Sequence, residues 1–546
     1  MLETRIVSSL EKCMKDKSVS DFAPLLEAKT LGGERFSFQL LLKYTKPESW
    51  GHMMVTLRLE SALPFTMREV VHVPNAIPVF ALASDDNYLS AEPGLYPDLL
   101  MPSPFGDRFG LNPDFLYSLW FDLDADRIPV GTHKVTVAIY NDKDERIGEE
   151  GFTLTRLDAT LPEIDFKFTE WFHCDSLADY YGVAVWSDEH FRIIESFAKA
   201  ARRQGMNMIL TPIHTPPLDT AIGGERTTTQ LVRITRENGK YAFSFEKLDR
   251  FLRLMDSLGF KYFEMAHLFT QWGAKHAPKI VLTKDDGTEE KIFGWETEAT
   301  GKDYGDFLAQ YIPALIAHLK SLGMMERVYF HISDEPNHEN LDTYIAAKNV
   351  VRDLIAPYPI MDAASTYDLY RDGVVDIPIP SNDKIEPYLE NHAKGLWTYY
   401  CCCQTVGVAN NLIAMPAYRT RTLAYQLYKY RIVGFLQWGF NFYGTFHSIG
   451  KVNPFVDTTG GHWVPGGDPF VVYPAPDGTP YESMRLLIFG EMMSELRLLY
   501  LVEQKLGYEK TLALVESYLG TVTFDRCATA SAPVLALHNA LMDALN

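Results

Sequence analysis

The 546-residue chain contains few cysteines, no excess of basic residues and no long apolar stretch. None of the 6 cysteines forms a C-x-x-C pair, which argues against a disulfide scaffold and a structural zinc site. No window reaches the ~18 apolar residues that a membrane span requires. The N-terminus also lacks the basic and apolar regions of a signal peptide. These absences predict a cytoplasmic protein that makes no membrane contact.

Basic residues are outnumbered, since Lys and Arg total 51 against 71 Asp and Glu, and the formal net charge is −20. A field of this sign repels phosphate groups, and no run of Lys or Arg offsets it. Nucleic acid is therefore not an expected partner, whereas a homo-oligomer is compatible with this charge. Hydrophobic residues at 47% and charged residues at 22% are typical of a globular protein with a sizeable core.

Residues 1–160 predict a β-rich N-terminal domain. Short runs such as FSFQLLLKY and HKVTVAIYND alternate partly and are mostly separated by Pro, Gly, Asn or Asp. Strands at this spacing, without long helical segments between them, favour an antiparallel β-sandwich. A short helix is expected over residues 4–17. The polar stretch DATLPEID at 158–165 predicts the end of the domain.

Residues 161–480 change to short apolar runs with helical segments between most of them. The runs cover residues 166–174, 206–214, 261–268, 327–335, 359–365, 374–381, 395–403 and 434–442. Apolar spacing near 3.6 predicts helices over residues 188–204, 246–258, 304–322, 338–356 and 418–432. Eight β-then-α units predict an α/β fold, a (β/α)₈ TIM barrel. Residues 275–300 are interpreted as a loop insertion, and residues 481–546 as a C-terminal helical extension packed on the barrel.

Barrel enzymes carry their chemistry at the carboxyl ends of the strands, so the residues that end each run are candidates. Asp334 and Glu335 stand side by side in HISDEP, at the end of the fourth run. Two carboxylates in one pocket repel each other, so one stays ionised while the other keeps its proton to higher pH. The pair therefore predicts an acid and an anion in a single catalytic site.

The usual retaining glycosidase needs a separate carboxylate nucleophile, which in a barrel is expected at the seventh strand. The seventh run, GLWTYYCCC, and the eighth, GFLQWGFNFYG, contain no Asp or Glu. Substrate-assisted catalysis does not need that residue, because the 2-acetamido oxygen of the sugar attacks the anomeric carbon and forms an oxazoline. In that mechanism Asp334 orients the amide, and Glu335 protonates the leaving oxygen and later activates water.

The motifs YFHISDEP, WTYYCC and FLQWGFNFY, in this order and spacing, resemble glycoside hydrolase family 123 and its wider relatives. The resemblance covers about residues 166–500. It implies an N-terminal β-sandwich, a catalytic Asp-Glu pair at Asp334 and Glu335, and a retaining β-N-acetylgalactosaminidase. The preference for N-acetylgalactosamine, as an exo-acting enzyme on terminal β-linked sugars, comes from this resemblance alone.

Further residues at strand ends are predicted to contact the substrate, with Trp171 and Trp438 as platforms for sugar stacking. Tyr399 is expected to donate a hydrogen bond to the acetamido oxygen, and Asn441 to bind a sugar hydroxyl. The full predicted set is Trp171, His173, His214, His267, Tyr399, Trp438, Asn441 and Tyr443. The Gly- and Pro-rich stretch 458–474 predicts a rim loop that carries His462, Trp463 and Asp468 toward the substrate.

Two alternatives remain at this point. His173, His214 and His267 end three successive strands and, with Asp334, could ligate a metal for hydrolysis. The other alternative is a non-catalytic barrel that binds carbohydrate. The main hypothesis uses no metal and no cofactor, and it treats the run from Cys401 to Cys403 as buried thiols.

Overall fold

The computed structural model describes residues 1–45, 51–80 and 83–545. The N-terminal part of the chain forms the strands β1 (Leu2–Ser8), β2 (Glu27–Gly32), β3 (Arg35–Tyr44), β4 (Met53–Leu59), β5 (Thr66–Asn75), β6 (Gly94–Met101), β7 (Arg108–Leu111), β8 (Leu116–Asp124), β9 (Gly131–Tyr140) and β10 (Arg146–Thr160). They form two sheets of five strands among the described residues, in the orders β1-β3-β8-β5-β6 and β2-β10-β9-β4-β7.

The two sheets share one hydrophobic core. Phe38 and Phe121 of the first sheet pack in the same buried cluster as Val135 and Phe152 of the second. The ring of Phe38 meets that of Phe152 edge to face, with centroids 4.9 Å apart. Alternating side chains from both sheets thus fill the space between them, as in a β-sandwich.

Two details of this part differ from the prediction. The expected helix over residues 4–17 is wrong, because residues 2–8 form β1 and pair antiparallel with β3. The β-branched residues Ile6 and Val7 are fully buried there, and the ladder with β3 outweighs any local helical preference. The second sheet is also not purely antiparallel, since its strands β10 and β2 pair in parallel.

The rest of the chain contains further strands and the helices. The strands are β11 (Lys167–Glu170), β12 (Met208–Thr211), β13 (Arg233–Glu237), β14 (Lys240–Ser244), β15 (Tyr262–Met265), β16 (Ile280–Thr283), β17 (Glu289–Phe293), β18 (Val328–Phe330), β19 (Met361–Ala363), β20 (Ile377–Ile379), β21 (Trp397–Tyr399), β22 (Gly434–Gln437), β23 (Val472–Pro474) and β24 (Pro480–Glu482). The helices are α1 (Cys174–Tyr181), α2 (Asp188–Arg203), α3 (Glu246–Ser257), α4 (Lys302–Ser321), α5 (Leu341–Ile355), α6 (Tyr367–Arg371), α7 (Glu386–Glu390), α8 (Ala417–Lys429), α9 (Met484–Leu506), α10 (Tyr508–Leu519) and α11 (Ser531–Asp543). The protein is therefore a mixed α/β protein.

Each of the eight apolar runs contains a short strand that pairs in parallel with a neighbour. Ladders join β12 to β15, β15 to β18, β19 to β20, β21 to β22 and β22 to β11. Single parallel bridges link Phe330 to Ile360 and Ser381 to Tyr399. The backbone N–H of Asn207 donates to the carbonyl of Phe168 at 3.1 Å, which connects β11 to the residue before β12.

The two faces of these parallel strands belong to different cores. Leu210 and Leu436 pack in one cluster with Trp171. Their neighbours Ile209 and Phe435 point the other way and pack in the large cluster that includes the helices. This alternation separates an inner face, toward the site, from an outer face that the helices cover.

Helix α2 shows how local sequence defines these elements. The side chain of Ser187 accepts a hydrogen bond from the backbone N–H of His190 at 3.2 Å and so caps the N-terminus. Acidic residues occupy its first turn and basic residues its last turn, as the helix dipole favours. Gly205 follows in a left-handed conformation with φ 100°, which ends the helix before β12.

The segment 275–300 is not an irregular loop, because β16 and β17 form an antiparallel hairpin there. The Asp286-Gly287 turn, with Gly287 at φ 83°, is the local signal for it. Helices α9, α10 and α11 follow the last strands, as the helical interpretation of residues 481–546 expected. No helix within the described residues has both the length and the apolar character needed to cross a bilayer.

Candidate active site

Asp334 and Glu335 lie just after β18, at the carboxyl end of the parallel strands. Gln271 donates a hydrogen bond from Nε2 to Oδ2 of Asp334 at 2.7 Å. The hydroxyl of Tyr399 donates to Oε1 of Glu335 at 3.0 Å. The Asp334 side chain is buried, whereas Glu335 is exposed at the mouth of the cavity that both residues line. Each carboxylate thus has its own neutral hydrogen-bond donor.

Glu335 has a left-handed backbone conformation with φ 50°, which is unfavourable for a residue with a side chain. Such a conformation costs on the order of 1–3 kcal/mol, and strained residues of this kind cluster at functional sites. The turn at HISDEP therefore places the two consecutive carboxylates in one cavity, although consecutive residues of an extended strand point to opposite faces.

The protonation of this pair is shifted upward. Burial and the negative charge of Glu335 raise the pKa of Asp334 to about 8. Burial also raises the pKa of Glu335, and the hydrogen bond from Tyr399 opposes this shift. The two neighbouring carboxyl groups influence each other's titration, so the pair retains a proton to higher pH than isolated carboxyl groups do. This property suits acid–base chemistry at the site.

A fully buried ion network lies beneath the pair. His331 contacts Oε2 of Glu264 through Nε2 at 3.0 Å and Oδ1 of Asp362 through Nδ1 at 3.1 Å. Burial by itself would lower the pKa of His331, but the hydrogen bonds to Asp362 and Glu264 outweigh it and raise the pKa to about 9. The imidazolium form donates both bonds, and its positive charge lies on the strand that carries Asp334.

The same network fixes the backbone that leads to the Asp334–Glu335 pair. Asp362 accepts hydrogen bonds from the backbone N–H groups of Ile332, at 3.2 Å, and Ser333, at 3.4 Å. The side chain of Ser333 donates to the carbonyl of Thr270 at 2.8 Å, next to Gln271. One connected set of hydrogen bonds therefore holds both the backbone next to Asp334 and the backbone next to Gln271, which donates to Asp334.

Indole rings form much of the wall of the cavity, which has a volume of about 120 Å³. Trp171 donates from Nε1 to Glu264 at 3.3 Å, which ties the cavity floor to the ion network. Trp438 donates from Nε1 to Oδ2 of Asp468 at 2.9 Å. Trp463 packs against Trp438 with ring centroids 5.7 Å apart. Apolar ring faces around a carboxylate pair suit a sugar, whose C–H faces are apolar and whose hydroxyls are polar.

Residues 171–502 match the family model described as glycoside hydrolase 123, catalytic domain. This match covers more than half of the chain. The chain belongs to glycoside hydrolase family 123.

Solved structures support the assignment of the fold. A family 123 glycoside hydrolase from Clostridium perfringens, studied for glycolipid glycan hydrolysis, is 16% identical with a TM-score of 0.75, and the match covers 100% of this chain and 98% of that one. A β-glucuronidase from Parabacteroides merdae is 11% identical with a TM-score of 0.32, over 90% of this chain and 51% of that one. The second similarity is too weak to support an argument. No curated protein matches the chain.

The structure brings part of the predicted set into the cavity of this family 123 enzyme. The predicted residues that line the cavity are Trp171, His173, Asp334, Glu335, Tyr399 and Trp438. Trp463 of the predicted rim loop also lines it, and Asp468 is tied to it through Trp438. Tyr400 turns away from the cavity and packs on Phe435, as the alternation along β21 requires.

Four predicted substrate contacts lie outside this cavity. His214 donates from Nε2 to the carbonyl of His267 at 2.8 Å, and both residues are buried. Asn441 bonds the backbone of His173 through both its amide atoms, at 2.8 and 3.1 Å, and so joins two strand ends. The hydroxyl of Tyr443 donates to the carbonyl of Val472 at 2.9 Å. These contacts explain the side chains of His214, Asn441 and Tyr443 as structural supports, whereas the two ring nitrogens of His267 have no hydrogen-bond partner among the described residues.

His173 has a supporting role as well, although it reaches the cavity. Arg226 donates to its Nδ1 at 3.0 Å, so Nε2 carries the proton and donates to the carbonyl of Trp438 at 2.9 Å. Burial and the charge of Arg226 lower the pKa of His173 to about 4, which keeps the ring neutral. Arg226 is itself held by a buried bidentate ion pair with Asp175, at 2.7 and 2.8 Å.

The structure adds residues that the sequence interpretation missed. Gln271 and Trp272 follow the third strand a few residues beyond the end of its apolar run, and Asp219 lies in the loop after the second strand. All three line the cavity. Burial raises the pKa of Asp219 to about 6, and its Oδ2 has no partner among the described residues. Their only signal was their position in loops that follow the parallel strands.

Two further findings concern metals and thiols. In the part of the chain that the structure describes, the groups of ligand atoms that converge are Cys401–Cys403 and His267, His331 and Asp362. The predicted set of His173, His214, His267 and Asp334 is not among them. The prediction of buried thiols is wrong for Cys403, which is exposed, while Cys401 and Cys402 are half-buried and line the cavity.

Proposed function

We propose that this family 123 glycoside hydrolase removes terminal β-linked N-acetylhexosamine, most readily N-acetylgalactosamine, with retention of configuration. The observation that carries the proposal is the adjacent pair of Asp334 and Glu335, each with its own donor, in a cavity lined by indole rings. A pair of neighbouring carboxylates suits substrate assistance, because one group can act on the acetamido group while the other acts on the glycosidic oxygen.

In this mechanism Asp334 accepts a hydrogen bond from the acetamido N–H, and the acetamido oxygen attacks the anomeric carbon. Glu335 protonates the leaving oxygen as its bond to that carbon breaks, and an oxazolinium ion forms. The negative charge of Asp334 stabilises this cation. Water activated by Glu335 then attacks the anomeric carbon and restores the acetamido group.

Substrate binding moves the shared proton to the residue that needs it. In the free protein burial and Glu335 favour the protonated form of Asp334. A hydrogen bond from the acetamido N–H stabilises ionised Asp334 and lowers its pKa. The proton then resides on Glu335, where the hydroxyl of Tyr399 holds the carboxyl at the cavity mouth.

We also propose the finer architecture. The eight parallel strands close into a (β/α)₈ barrel, supported by the ladders, bridges and backbone bond that link successive strands and by their separate inner and outer cores. The division into a sandwich at 1–160, a barrel at 161–480 and a helical extension at 481–546 is part of this proposal. Carbohydrate is the proposed partner, while location and oligomeric state stay predictions of the sequence.

The decisive measurement is hydrolysis of three aryl β-glycosides: the N-acetylgalactosaminide, the N-acetylglucosaminide and the galactoside. We expect turnover of an acetamido sugar and none of the galactoside, because the galactoside lacks the internal nucleophile. Glu335→Ala should lose about 10²–10⁴-fold on substrates with poor leaving groups and less on activated aryl glycosides. Asp334→Asn should lose turnover on both.

Asp219→Asn is the matched control, since Asp219 is a further carboxylate of the same cavity. Under substrate assistance this variant binds the sugar less well but still forms the oxazoline. Hydrolysis of the galactoside by the wild type, or a covalent glycosyl bond to Asp219, would overturn the mechanism. Wild-type turnover by Glu335→Ala on natural substrates would overturn the site assignment.

A further inference from the structure

Five aromatic rings form a continuous path from the cavity to the protein surface. We call these residues the aromatic arc: Trp438, Trp463, Phe446, His447 and Trp272. The successive ring centroids are separated by 5.7, 4.7, 3.6 and 5.1 Å. Such distances are those of rings in direct contact. Trp438, Trp463 and Trp272 line the cavity, whereas Phe446 and His447 lie outside it and have no role in the mechanism above.

The rings of the arc differ in exposure, and Phe446, outside the cavity lining, is the most exposed. Trp438 and Trp463 are half-buried, while Phe446 is 42% exposed and Trp272 is 38% exposed. Large exposed aromatic side chains next to a ligand cavity are typical of binding surfaces. The arc thus extends the cavity wall outward to the mouth where Glu335 meets solvent.

Both loops that carry the arc are hydrogen-bonded to residues of the cavity. The backbone N–H of Trp272 donates to the carbonyl of Asp334 at 3.4 Å. On the other side, the backbone N–H of His447 donates to Oδ1 of Asp219 at 3.3 Å, and the carbonyl of His447 accepts from Ala221 at 2.9 Å. Both loops of the arc are therefore bonded to residues that line the cavity.

The backbone of the arc is strained. Trp272, His447 and Ser448 have φ values of 56°, 56° and 54°, in the left-handed region that side chains disfavour. Each such residue costs on the order of 1–3 kcal/mol, and a bulky residue such as Trp is a marked outlier there. The local backbone strain therefore lowers stability. The hydrogen bonds of the surrounding loops offset this cost and hold the rings in place.

The Trp and Phe rings of the arc carry no ionisable group. Burial lowers the pKa of His447, which favours its neutral imidazole. An uncharged row of ring faces matches the C–H faces of neutral pyranose rings. In an exo-acting enzyme the terminal sugar fills the cavity, so the part of the substrate that projects through the mouth is the leaving group. Only exposed residues near the mouth can contact that part.

We propose that the aromatic arc binds the leaving-group side of the substrate, as a stacking surface for the neutral sugar residues next to the cleaved bond. The proposal rests on the proposed exo-glycosidase function. The ligand is an oligosaccharide with terminal β-N-acetylhexosamine, and Phe446, which is exposed and does not line the cavity, contacts the sugar that departs.

The test compares two substrates of the full-length protein. One is the glycosyl azide of the terminal sugar, whose leaving group is too small to reach the arc, and the other is a disaccharide with the same terminal sugar on galactose. Phe446→Ala should lower kcat/KM about tenfold on the disaccharide, because one stacking contact is lost. This variant should stay within about twofold of the wild type on the azide, because Phe446 does not line the cavity.

Phe105→Ala is the matched control, since Phe105 is 72% exposed and lies in the N-terminal part of the chain. It should leave both substrates unchanged. Phe446→Leu keeps an apolar side chain but removes the ring. It therefore separates the loss of stacking from a loss of loop structure. It should lose activity on the disaccharide nearly as far as Phe446→Ala, with thermal unfolding like the wild type.

The outcomes separate this proposal from the proposed function. Failure of the wild type on the azide would overturn the proposed function itself. Equal losses on the azide and the disaccharide would place the arc in the terminal-sugar pocket and overturn the inference, as would no loss on either. Equal losses on an octyl glycoside and on the disaccharide would show recognition of apolar surface instead of sugar rings, which also overturns it.

Discussion

At the scale of single residues, the proposed mechanism depends on how two adjacent carboxylates share one proton. Neither Asp334 nor Glu335 is unusual as a residue, and their pKa values shift because the fold removes water and brings the charges together. Gln271 and Tyr399 each donate to one of them, which makes the two carboxylates chemically distinct. A division of labour between acid and anion follows from these neighbours.

The pH dependence of kcat/KM tests this sharing. Activity should fall at low pH, where both carboxyls are protonated and no anion remains, and again as pH rises through about 8, where the shared proton is lost. We expect a bell-shaped profile between pH 4 and 10 on a substrate with a poor leaving group. In Glu335→Ala on an activated aryl glycoside the alkaline limb should disappear, since no acid is required. An alkaline limb that persists in this variant would assign the proton to another group.

At the scale of elements, the strongly periodic segments were predictable and the loops were not. Helices α2 and α4 lie within one or two residues of the periodic segments that predicted them. The apolar runs predicted strands that are shorter in the structure, because only three or four residues of each run join the ladder. The remaining residues of each run continue into the loops that carry the site.

Gly439, which follows the eighth parallel strand, packs closely against the backbone of the Gly- and Pro-rich loop at 458–474. A Cβ on Gly439 would lie 2.5 Å from the carbonyl oxygen of Pro469 and 2.6 Å from that of Asp468. Gly439→Ala should therefore displace the rim loop, with a loss of about 1–3 kcal/mol in the free energy of unfolding and a rise in KM as the Trp438–Asp468 bond weakens.

Thermal unfolding and steady-state kinetics check this prediction. Gly94→Ala is a suitable control for an added methyl group, because its backbone is not left-handed and a Cβ there meets no atom closer than 3.9 Å. Unchanged stability and KM in Gly439→Ala would mean that the rim loop does not depend on this close contact.

At the scale of the whole molecule, a buried ion pair joins the N-terminal strands, the rim loop and the C-terminal helices. Arg485 of α9 binds Asp98 of β6 through two bonds, at 2.8 and 3.0 Å, and neither side chain has any exposed surface. Arg485 also donates to the carbonyls of Gly467 and Phe470, at 2.6 and 2.8 Å. One guanidinium thus connects three distant parts of the chain.

Arg485→Met should lower the free energy of unfolding by about 3–5 kcal/mol, because it leaves the carboxylate of Asp98 buried without its partner. The double variant Arg485→Met with Asp98→Asn should recover part of the loss, since the uncompensated charge is removed. Denaturant unfolding of the single and double variants measures both values. A single variant as stable as the wild type would show that this pair does not hold the three parts together.

The sequence by itself determined the alternation of strands and helices, the acidic character and the Asp-Glu pair, because these follow from local periodicity and composition. Only the tertiary structure decided which strand-end residues face the cavity. His214, His267, Asn441 and Tyr443 end strands as Trp171 does, yet they bond to other backbone groups, while Gln271, Trp272 and Asp219 reach the site from loops. The physical reason is that loop paths are set by contacts between residues far apart in the chain, such as the one between Asp219 and His447, and no local pattern encodes them.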